Sequence, residues 1–398
     1  MFEDKQILLG VTGGIAAYKA VELLRLFKKA GASVNVIMTA SAQKFVGKTT
    51  FEVLSENPVL SDLYFDTQSS VTHIDLATRA DAAIIAPATA NIIGKLAHGI
   101  ADDALSTTLL AVTSPIMICP SMNTDMYQNI RVQRNLDILE SDGVHILDPD
   151  SGVLACKTTG AGRLPEPWFI FDRVKAMLTK KDLKGKRILV SAGPTVEAID
   201  PVRFISNHSS GKMGYAVAKA AENRGASVTL VSGPVSLDCP VGVEQIRVDS
   251  CDQMAGAMLD HLKEADIIIK VAAVADYRPV DPKTCKIKKK DNTKGLSIAL
   301  TENPDILKII GEKKTKSQFL VGFAAETDDL EKNALLKMKK KNLDMIAANL
   351  VGGADSGFKA DTNKVKLFCR DGASVDLPLM DKDKVANALL DHILKNMR

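Results

Sequence analysis

A chain of 398 residues is long enough for two or three domains, and its 46% hydrophobic and 25% charged residues exclude a largely disordered or collagen-like protein. Fifty-one Lys and Arg against 48 Asp and Glu leave a net charge of +3, too small to argue for a nucleic-acid partner. No apolar run approaches the roughly 18 residues that span a bilayer, the acidic start Met1-Phe2-Glu3-Asp4 does not read as a signal peptide, and six cysteines without CxxC spacing predict reduced thiols in a cytoplasmic protein.

In chain order, Ile7-Leu8-Leu9-Gly10-Val11 is an apolar run followed by Thr12-Gly13-Gly14. Ile15 to Lys29 then places Ala16, Ala20, Leu23, Leu24 and Phe27 at helical spacing. With Val34 to Met38 as a second strand, this opens a parallel βαβ unit. Ala82 to Ala86 and Ile116 to Ile118 lack polar alternation, as strands do when helices cover both faces of their sheet. Around His73, Val71 to Leu76 alternates apolar and polar positions ahead of a helix. Pro120-Ser121-Met122-Asn123 puts Asn123 at the carboxyl end of a strand, where open α/β sheets bind ligands.

The pattern restarts at Arg187. Ile188-Leu189-Val190 leads into Ser191-Ala192-Gly193-Pro194-Thr195, Tyr215 to Arg224 reads as a helix, and Gly225 to Val231 echoes Gly31 to Ile37. Ile267 to Ile269 continues this second sheet, and Asp276 stands at a strand end after Val271 to Ala275. The charged junction Lys180 to Lys186 places the boundary within it, giving domains 1–182 and 183–398. The expected fold class is α/β, with two doubly wound Rossmann-like domains.

Neither half carries Gly-x-Gly-x-x-Gly with an acid about 20 residues on, so NAD is disfavoured in both. The first turn has Gly13 and Gly14, and the second strand ends in Thr39-Ala40-Ser41; hydroxyls and open backbone N–H groups suit a phosphate better than a ribose diol. Ser209-Ser210-Gly211-Lys212 invites a P-loop reading, but Ser206 stands where a Walker motif needs Gly. It is either an anion-binding loop at a helix start or a polar surface turn. A lone His73 and a lone Cys156 are more often structural than reactive, although the glycine-containing stretch after Cys156 suits a lid. The basic runs around Lys286 and from Lys337 to Lys341 lack interleaved aromatics, against single-stranded nucleic acid. They are solvated faces or a triphosphate site. Asp276 would hold a metal or a ribose. Spacing alone reaches two nucleotide-type domains of unknown reaction.

Taken together these residues resemble a family, the bacterial bifunctional coenzyme A biosynthesis proteins, in which phosphopantothenoylcysteine decarboxylase is fused to phosphopantothenate–cysteine ligase. In the first half the resemblance runs through Gly13 to Lys19, His73, Pro87 to Asn91, Pro120 to Tyr127, and Leu154-Ala155-Cys156 before Gly160 to Arg163. In the second half it runs through Ala192 to Thr195, Asp200 to Arg203, Ser206 to Gly214, Ala272 to Tyr277, Lys286 to Lys289, Asn303 to Ile306 and Gly322 to Thr327. Two departures are Lys157, where the family usually carries Gly, and Pro165 before Glu166-Pro167; both fall in the stretch expected to be the lid.

The resemblance implies a flavodoxin-like first domain of the flavin-containing cysteine decarboxylase type, binding FMN through Gly13, Gly14, Ser41, Pro87, Ala88 and Thr89, with no metal. It implies a ligase domain that uses CTP and Mg²⁺ to make an acyl-cytidylate, which cysteine then attacks. Asp276, Lys286, Pro304, Asp305, Ile306, Leu307, Phe323, Lys337 and Lys341 would bind CTP, with Asp276 the candidate metal contact. Asn207 would steer the cytidylate toward amide formation. In the decarboxylase His73 would be the base, Asn123 would hold the substrate carboxylate and Cys156 would donate a proton. The implied partners are the small-molecule substrates and further copies of the chain: trimers of the first domain, dimers of the second, a dodecamer in all. Rival readings are another flavin-dependent cysteine decarboxylase or a non-catalytic relative; the first explains only half of the chain, and the second loses ground because Asn123 and Cys156 are both present.

Overall fold

A computed structural model describes residues 2–64, 72–153, 159–288, 296–326, 330–350 and 360–397. The chain divides into two compact units, Met1–Thr179 and Lys180–Arg398.

The first unit runs β1 (Gln6–Val11), α1 (Ala17–Lys29), β2 (Ser33–Met38), α2 (Lys48–Ser55), α3 (Thr72–Arg79), β3 (Ala82–Ala88), α4 (Ala90–Ala97), α5 (Ala104–Ala111), β4 (Ile116–Pro120), α6 (Thr124–Gln128), α7 (Ile130–Ser141) and β5 (His145–Ile146). A hairpin, β6 (Asp150–Val153) with β7 (Thr159–Arg163), precedes α8 (Pro167–Leu178). The sheet order is β2-β1-β3-β4-β5, all parallel, which is the flavodoxin-like arrangement. β1 is apolar and buried from Ile7 to Val11, and both its faces are covered. Ile7, Leu9 and Val11 join a core with Leu23, Leu24 and Phe27 of α1 and Ile170 and Val174 of α8, while Leu8 joins Leu105 and Leu109 of α5. Each such side chain stabilises the fold by about 1.5–3 kcal/mol on burial.

The alternation around His73 is not an extended segment ahead of a helix: the helix already begins at Thr72. Ala77 is its buried residue, so one small apolar contact fixes its inner face and the alternation carries no strand information.

The second unit runs β8 (Arg187–Ala192), β9 (Val196–Ala198), β10 (Phe204–Ser206), α9 (Lys212–Asn223), β11 (Ser227–Ser232), β12 (Val243–Arg247), α10 (Cys251–Asp260), β13 (Ile267–Lys270), β14 (Tyr277–Pro279), β15 (Leu300–Glu302), α11 (Ile306–Lys313), β16 (Phe319–Glu326), α12 (Leu330–Lys340), β17 (Met345–Leu350), β18 (Thr362–Cys369), β19 (Ser374–Asp381) and α13 (Lys382–Asn396). Eight strands form one sheet in the order β12-β11-β8-β13-β16-β17-β18-β19; it is parallel as far as β17 and antiparallel from there to its edge. Ile188 and Val190 of β8 face α9 and α13, and Leu189 faces the core shared with α10, α11 and α12.

β13 stops at Lys270, so Val271 to Ala275 is not the strand that its apolar run predicts. Beyond Lys270 the pairing with the β8 side thins to one isolated parallel bridge between Ala273 and Pro194. Ala272 N–H donates to Ser191 Oγ, Ala273 N–H to the Gly193 carbonyl, and Ala275 N–H to Thr195 Oγ1. Arg224, buried at the end of α9, pairs in two-pronged fashion with Asp182 at 2.8 and 3.0 Å and with Asp391 of α13 at 2.7 Å. Two-pronged guanidinium–carboxylate bonds fix direction as well as distance, so α9 and α13 are locked to the start of the unit. Among the described residues no helix is long and apolar enough to cross a membrane.

A Cβ on Gly214, in the first turn of α9, would sit 2.5 Å from the Ala192 Cβ and 3.0 Å from its Cα. Helix and strand must part to admit one. Gly214→Val is expected to destabilise the second unit by about 1–3 kcal/mol, the usual cost of overpacking, read as a lower midpoint in urea denaturation.

Candidate active sites

In the first unit the carboxyl edge of the sheet collects the expected residues. Gly13 and Gly14 follow β1, Ser41 follows β2, Pro87 and Ala88 close β3 with Thr89 next, and Asn123 follows β4. The pieces are tied together. Thr12 Oγ1 donates to the Pro87 carbonyl at 2.7 Å and accepts from Thr89 N–H at 3.1 Å, and Ser121 N–H donates to the Ala88 carbonyl at 3.0 Å. A Cβ on Gly13 would lie 2.4 Å from Ser41 Cβ, whereas one on Gly14 would meet nothing within 4 Å. The first turn therefore leans on Ser41 on one side and is open on the other. α1 has no side-chain cap, and the N–H groups of Gly13, Gly14 and Ile15 have no partner among the described residues. Uncapped donors at a helix start make an anion site, so this cradle fits the phosphate of a flavin mononucleotide.

Asn123 caps α6: its Oδ1 accepts from Asp125 N–H at 2.9 Å and Met126 N–H at 3.4 Å. The acceptor end of the amide is thereby fixed, and Nδ2 is the donor end. Cys156 and Lys157 lie outside the described residues. The strands on either side are held against the Asn123 segment, since Met122 N–H donates to the Gly162 carbonyl at 3.0 Å. Pro165 is not part of the hairpin: it is buried between β7 and α8, next to Leu164 and Glu166, which bind Lys19 Nζ at 3.1 and 2.8 Å. His73 stands in the first turn of α3. Because α3 runs directly into β3, that turn points back toward the carboxyl edge of the sheet. No hydrogen bond joins His73 to the other candidates among the described residues.

In the second unit a cavity of about 630 Å³ opens at the carboxyl ends of the parallel strands. Asn207, Asp276, Pro304, Asp305, Ile306, Leu307, Phe323, Lys337 and Lys341 all line it; Lys286 does not. Asn207 Nδ2 donates to the Ala273 carbonyl at 2.8 Å, and Asn303 Nδ2 to that of Ala275 at 2.8 Å. These two amides hold the irregular Val271–Asp276 segment open along one wall. Asp305 caps α11 and pairs with Lys341 at 2.8 Å. Burial opposes its ionisation, but the bonds from Lys341 and from the Lys308 N–H prevail and keep its carboxyl below the usual range. Lys286 is exposed, and its neighbour Ile287 is clamped: Ile287 N–H donates to Asp200 Oδ2 and its carbonyl accepts from Arg203, each at 3.0 Å. This gives the Asp200-Pro201-Val202-Arg203 motif its role, with the Arg203 bond and the Ile287 N–H holding the Asp200 carboxyl well below its ordinary range.

Sequence reading missed Lys270, which lines the same cavity. Its position at the end of an apolar strand was visible, but its neighbours from α11 and α12 were not. Burial, then Lys341 and Lys337, pull its ammonium down to about 8 against the opposing pull of Cys251 and Asp305. No group of three or more His, Cys, Asp or Glu that could cage a metal occurs among the described residues. A Mg²⁺ carried by a nucleotide needs only one or two carboxylates beside the phosphates, and Asp276 supplies an exposed one within the cavity.

Residues 1–179 match the Flavoprotein family, and residues 183–397 match the DNA/pantothenate metabolism flavoprotein C-terminal domain. The chain is 50% identical to the coenzyme A biosynthesis bifunctional protein CoaBC of Bacillus subtilis (strain 168), over 99% of this chain and 97% of that one. It is 45% identical to the protein of that name from Escherichia coli (strain K12), over 98% and 97%. Among solved structures, a C-terminal domain of a coenzyme A biosynthesis bifunctional protein CoaBC is 44% identical, covering 54% of this chain and 96% of that one, with a TM-score of 0.46.

A Cβ on Gly162 would lie 2.1 Å from the Met122 carbonyl oxygen, and the residue has φ +146°. Gly162→Ala is expected to break the Met122 hydrogen bond and free the hairpin from the Asn123 segment, at a cost of about 1–3 kcal/mol. Faster amide hydrogen exchange confined to 120–126 and 150–163 would register it; unchanged exchange would show that the clamp is not tight.

Proposed function

The chain belongs to the family of bifunctional coenzyme A biosynthesis proteins, and from that premise we propose that it joins 4′-phosphopantothenate to cysteine using CTP, then decarboxylates the product to 4′-phosphopantetheine. Residues 183–398 are the ligase and 1–182 the decarboxylase. The observation that carries this reading is the presence, in one chain, of an open anion cradle on a flavoprotein-type unit and a lysine-lined cavity on a second unit.

A carboxylate resists amines because its oxygen leaves poorly. Conversion to an acyl-cytidylate replaces that oxygen with a good leaving group, CMP. Lys337 and Lys341 screen the triphosphate while charge moves onto pyrophosphate; Asp276 would hold the Mg²⁺, which would supply further positive charge there. Pro304 to Leu307 and Phe323 shape the nucleotide site, and Lys286 reaches the phosphates from the segment clamped at Ile287. Asn207 has its Nδ2 on the Ala273 carbonyl, and its Oδ1 takes no bond from the described residues. That oxygen accepts from the attacking amine and directs it at the acyl carbon.

In the decarboxylase Gly13, Gly14 and Ser41 hold the phosphate of FMN, with Pro87, Ala88 and Thr89 completing its site. When bound, FMN supplies the electron sink for oxidation of the cysteine thiol, which makes loss of CO₂ possible. His73 takes up the thiol proton, Asn123 Nδ2 donates to the departing carboxylate, and Cys156 returns a proton to the enethiolate. The enzyme works in the cytoplasm as a homo-oligomer, with trimers formed through the first unit and dimers through the second building a dodecamer. Exposed apolar side chains support this: Ile15, Ile130 and Trp168 on the first unit are 65%, 69% and 63% exposed, and Phe204 and Val280 on the second are 59% and 60%.

Purified protein given 4′-phosphopantothenate, cysteine, CTP and Mg²⁺ is expected to yield 4′-phosphopantetheine by mass spectrometry, lighter by one CO₂ than the ligated intermediate. Neither compound appearing from folded protein would end the bifunctional reading. Lys286→Gln should slow cytidylate formation about 100-fold or more. Asn207→Asp, which loses the donor to Ala273, should let the cytidylate accumulate. Cys156→Ser should still release CO₂ but stop at an enethiol; full turnover would remove its proton-donor role.

A further inference from the structure

Five lysines among the described residues line the cavity of the second unit; of the three to which the scheme above gives no task, Lys212 pairs with Asp361 at 2.6 Å and Lys382 donates to the Ala360 carbonyl, which leaves Lys270. Lys270 ends β13, an inner strand of the eight-stranded sheet, and its sheet neighbours are Ser191 on β8 and Gly322 on β16, neither of which ionises. Its Nζ donates to the Ala272 carbonyl at 3.3 Å. Among the described residues no carboxylate pairs with it, although an ammonium has three donors to place. A lysine kept for structure alone would be expected to bury its charge against an acid.

The groups around it explain how it stands without one. Lys341, just past α12, and Lys337 on α12 repel its charge; Asp305 at the cap of α11 attracts it, but already pairs with Lys341 at 2.8 Å. Cys251 at the start of α10 is held as a neutral thiol, since burial pushes it up to about 11. Glu302 and Asp276 line the cavity without bonding to Lys270. A further positive charge beside Lys337 and Lys341 is therefore costly while the cavity holds only water, and favourable once a polyanion lies among them.

We propose that Lys270 is a further phosphate-binding cation of this cavity, and that in alkaline solution arrival of the nucleotide's polyphosphate draws a proton onto it, so that binding and protonation are coupled there. The proposal rests on the ligase reading and adds a residue and a pH dependence to it. The sign follows from linkage. Lys270 titrates near 8 before the ligand arrives and higher afterwards. Below that pH it is already charged, and binding moves no proton. Above it each binding event must take a proton from solvent, and apparent affinity falls by up to about tenfold per pH unit until the raised value is passed.

Calorimetric titration of the full-length protein with CTP and Mg²⁺, in Tris and in HEPPS, reads the proton directly, because the two buffers differ in ionisation heat. At about pH 8.5 the wild-type chain should take up roughly half to one proton, and at about pH 7 almost none. Lys270→Arg should bind CTP within a few-fold of wild type and take up no proton at either pH. Lys270→Met should take up none and bind on the order of tenfold more weakly at about pH 7. Unchanged proton uptake in Lys270→Met, or unchanged affinity in that variant at the lower pH, would overturn the role of Lys270 and leave the ligase reading intact. A wild-type protein that binds no CTP would overturn both.

Discussion

Both units depend on turns packed against strand ends more closely than a Cβ would permit. Gly13 stands over Ser41 with room for no side chain, a Cβ on Gly233 would fall 1.7 Å from the Pro194 carbonyl oxygen, and Gly214 presses α9 onto Ala192. Each glycine costs roughly 0.5–1 kcal/mol in backbone entropy relative to alanine in regular structure. What that cost secures is position. The helices α1 and α9 start directly at the carboxyl edges of their sheets, where a ligand can reach backbone N–H groups before any side chain intervenes.

Packing on both faces of each sheet does the rest. With Ile7 and Leu9 buried on one side of β1 and Leu8 on the other, no face is left for chemistry, and only the strand ends remain. In the second unit the same exclusion is sharpened by the early end of β13. Past Lys270 only one backbone bond from the β8 side, among the described residues, reaches a carbonyl of this segment, that of Thr195 N–H to Ala273. Asn207 adds a second bond to the Ala273 carbonyl and Asn303 takes that of Ala275, and the segment becomes a wall of the cavity.

Much of this was legible in the residues. Unbroken apolar strands and glycine-rich turns predict a doubly wound pattern twice over, and the motif residues from Asn207 to Lys341 fall around one cavity, with Lys286 the exception. The misreadings have physical causes. His73 sits in a short helix with a single buried residue, too little periodicity to announce itself. Val271 to Ala275 is as apolar as a strand because it is largely shielded, while its hydrogen bonds go to Ser191, Gly193 and Thr195, partners remote in sequence. The antiparallel edge formed by β18 and β19 follows a parallel run, and no local pattern marks the reversal. Lys270 was invisible because its surroundings come from α10, α11 and α12, and a lysine acquires an unusual character only from what is folded around it.

The two units answer the problem of binding phosphate differently, and the difference follows from what each must do with it. In the first, under the proposed reading, uncapped backbone donors beside Gly13 and Gly14 would suffice, because a phosphate that only anchors a bound group needs affinity and no change of charge. In the second, under the proposed cytidylate chemistry, pyrophosphate would leave and negative charge would migrate during the reaction. Fixed N–H dipoles cannot follow that migration; several ammonium groups on different elements can. Lys337 and Lys341 come from the α12 region and Lys270 from β13. Spreading cations over separate elements has a cost, mutual repulsion in the ligand-free cavity. Asp305 offsets it at Lys341, and among the described residues no carboxylate pairs with Lys270. A site built this way is unfavourable to itself until a polyanion arrives, which makes the charge of the ligand part of the structure that recognises it.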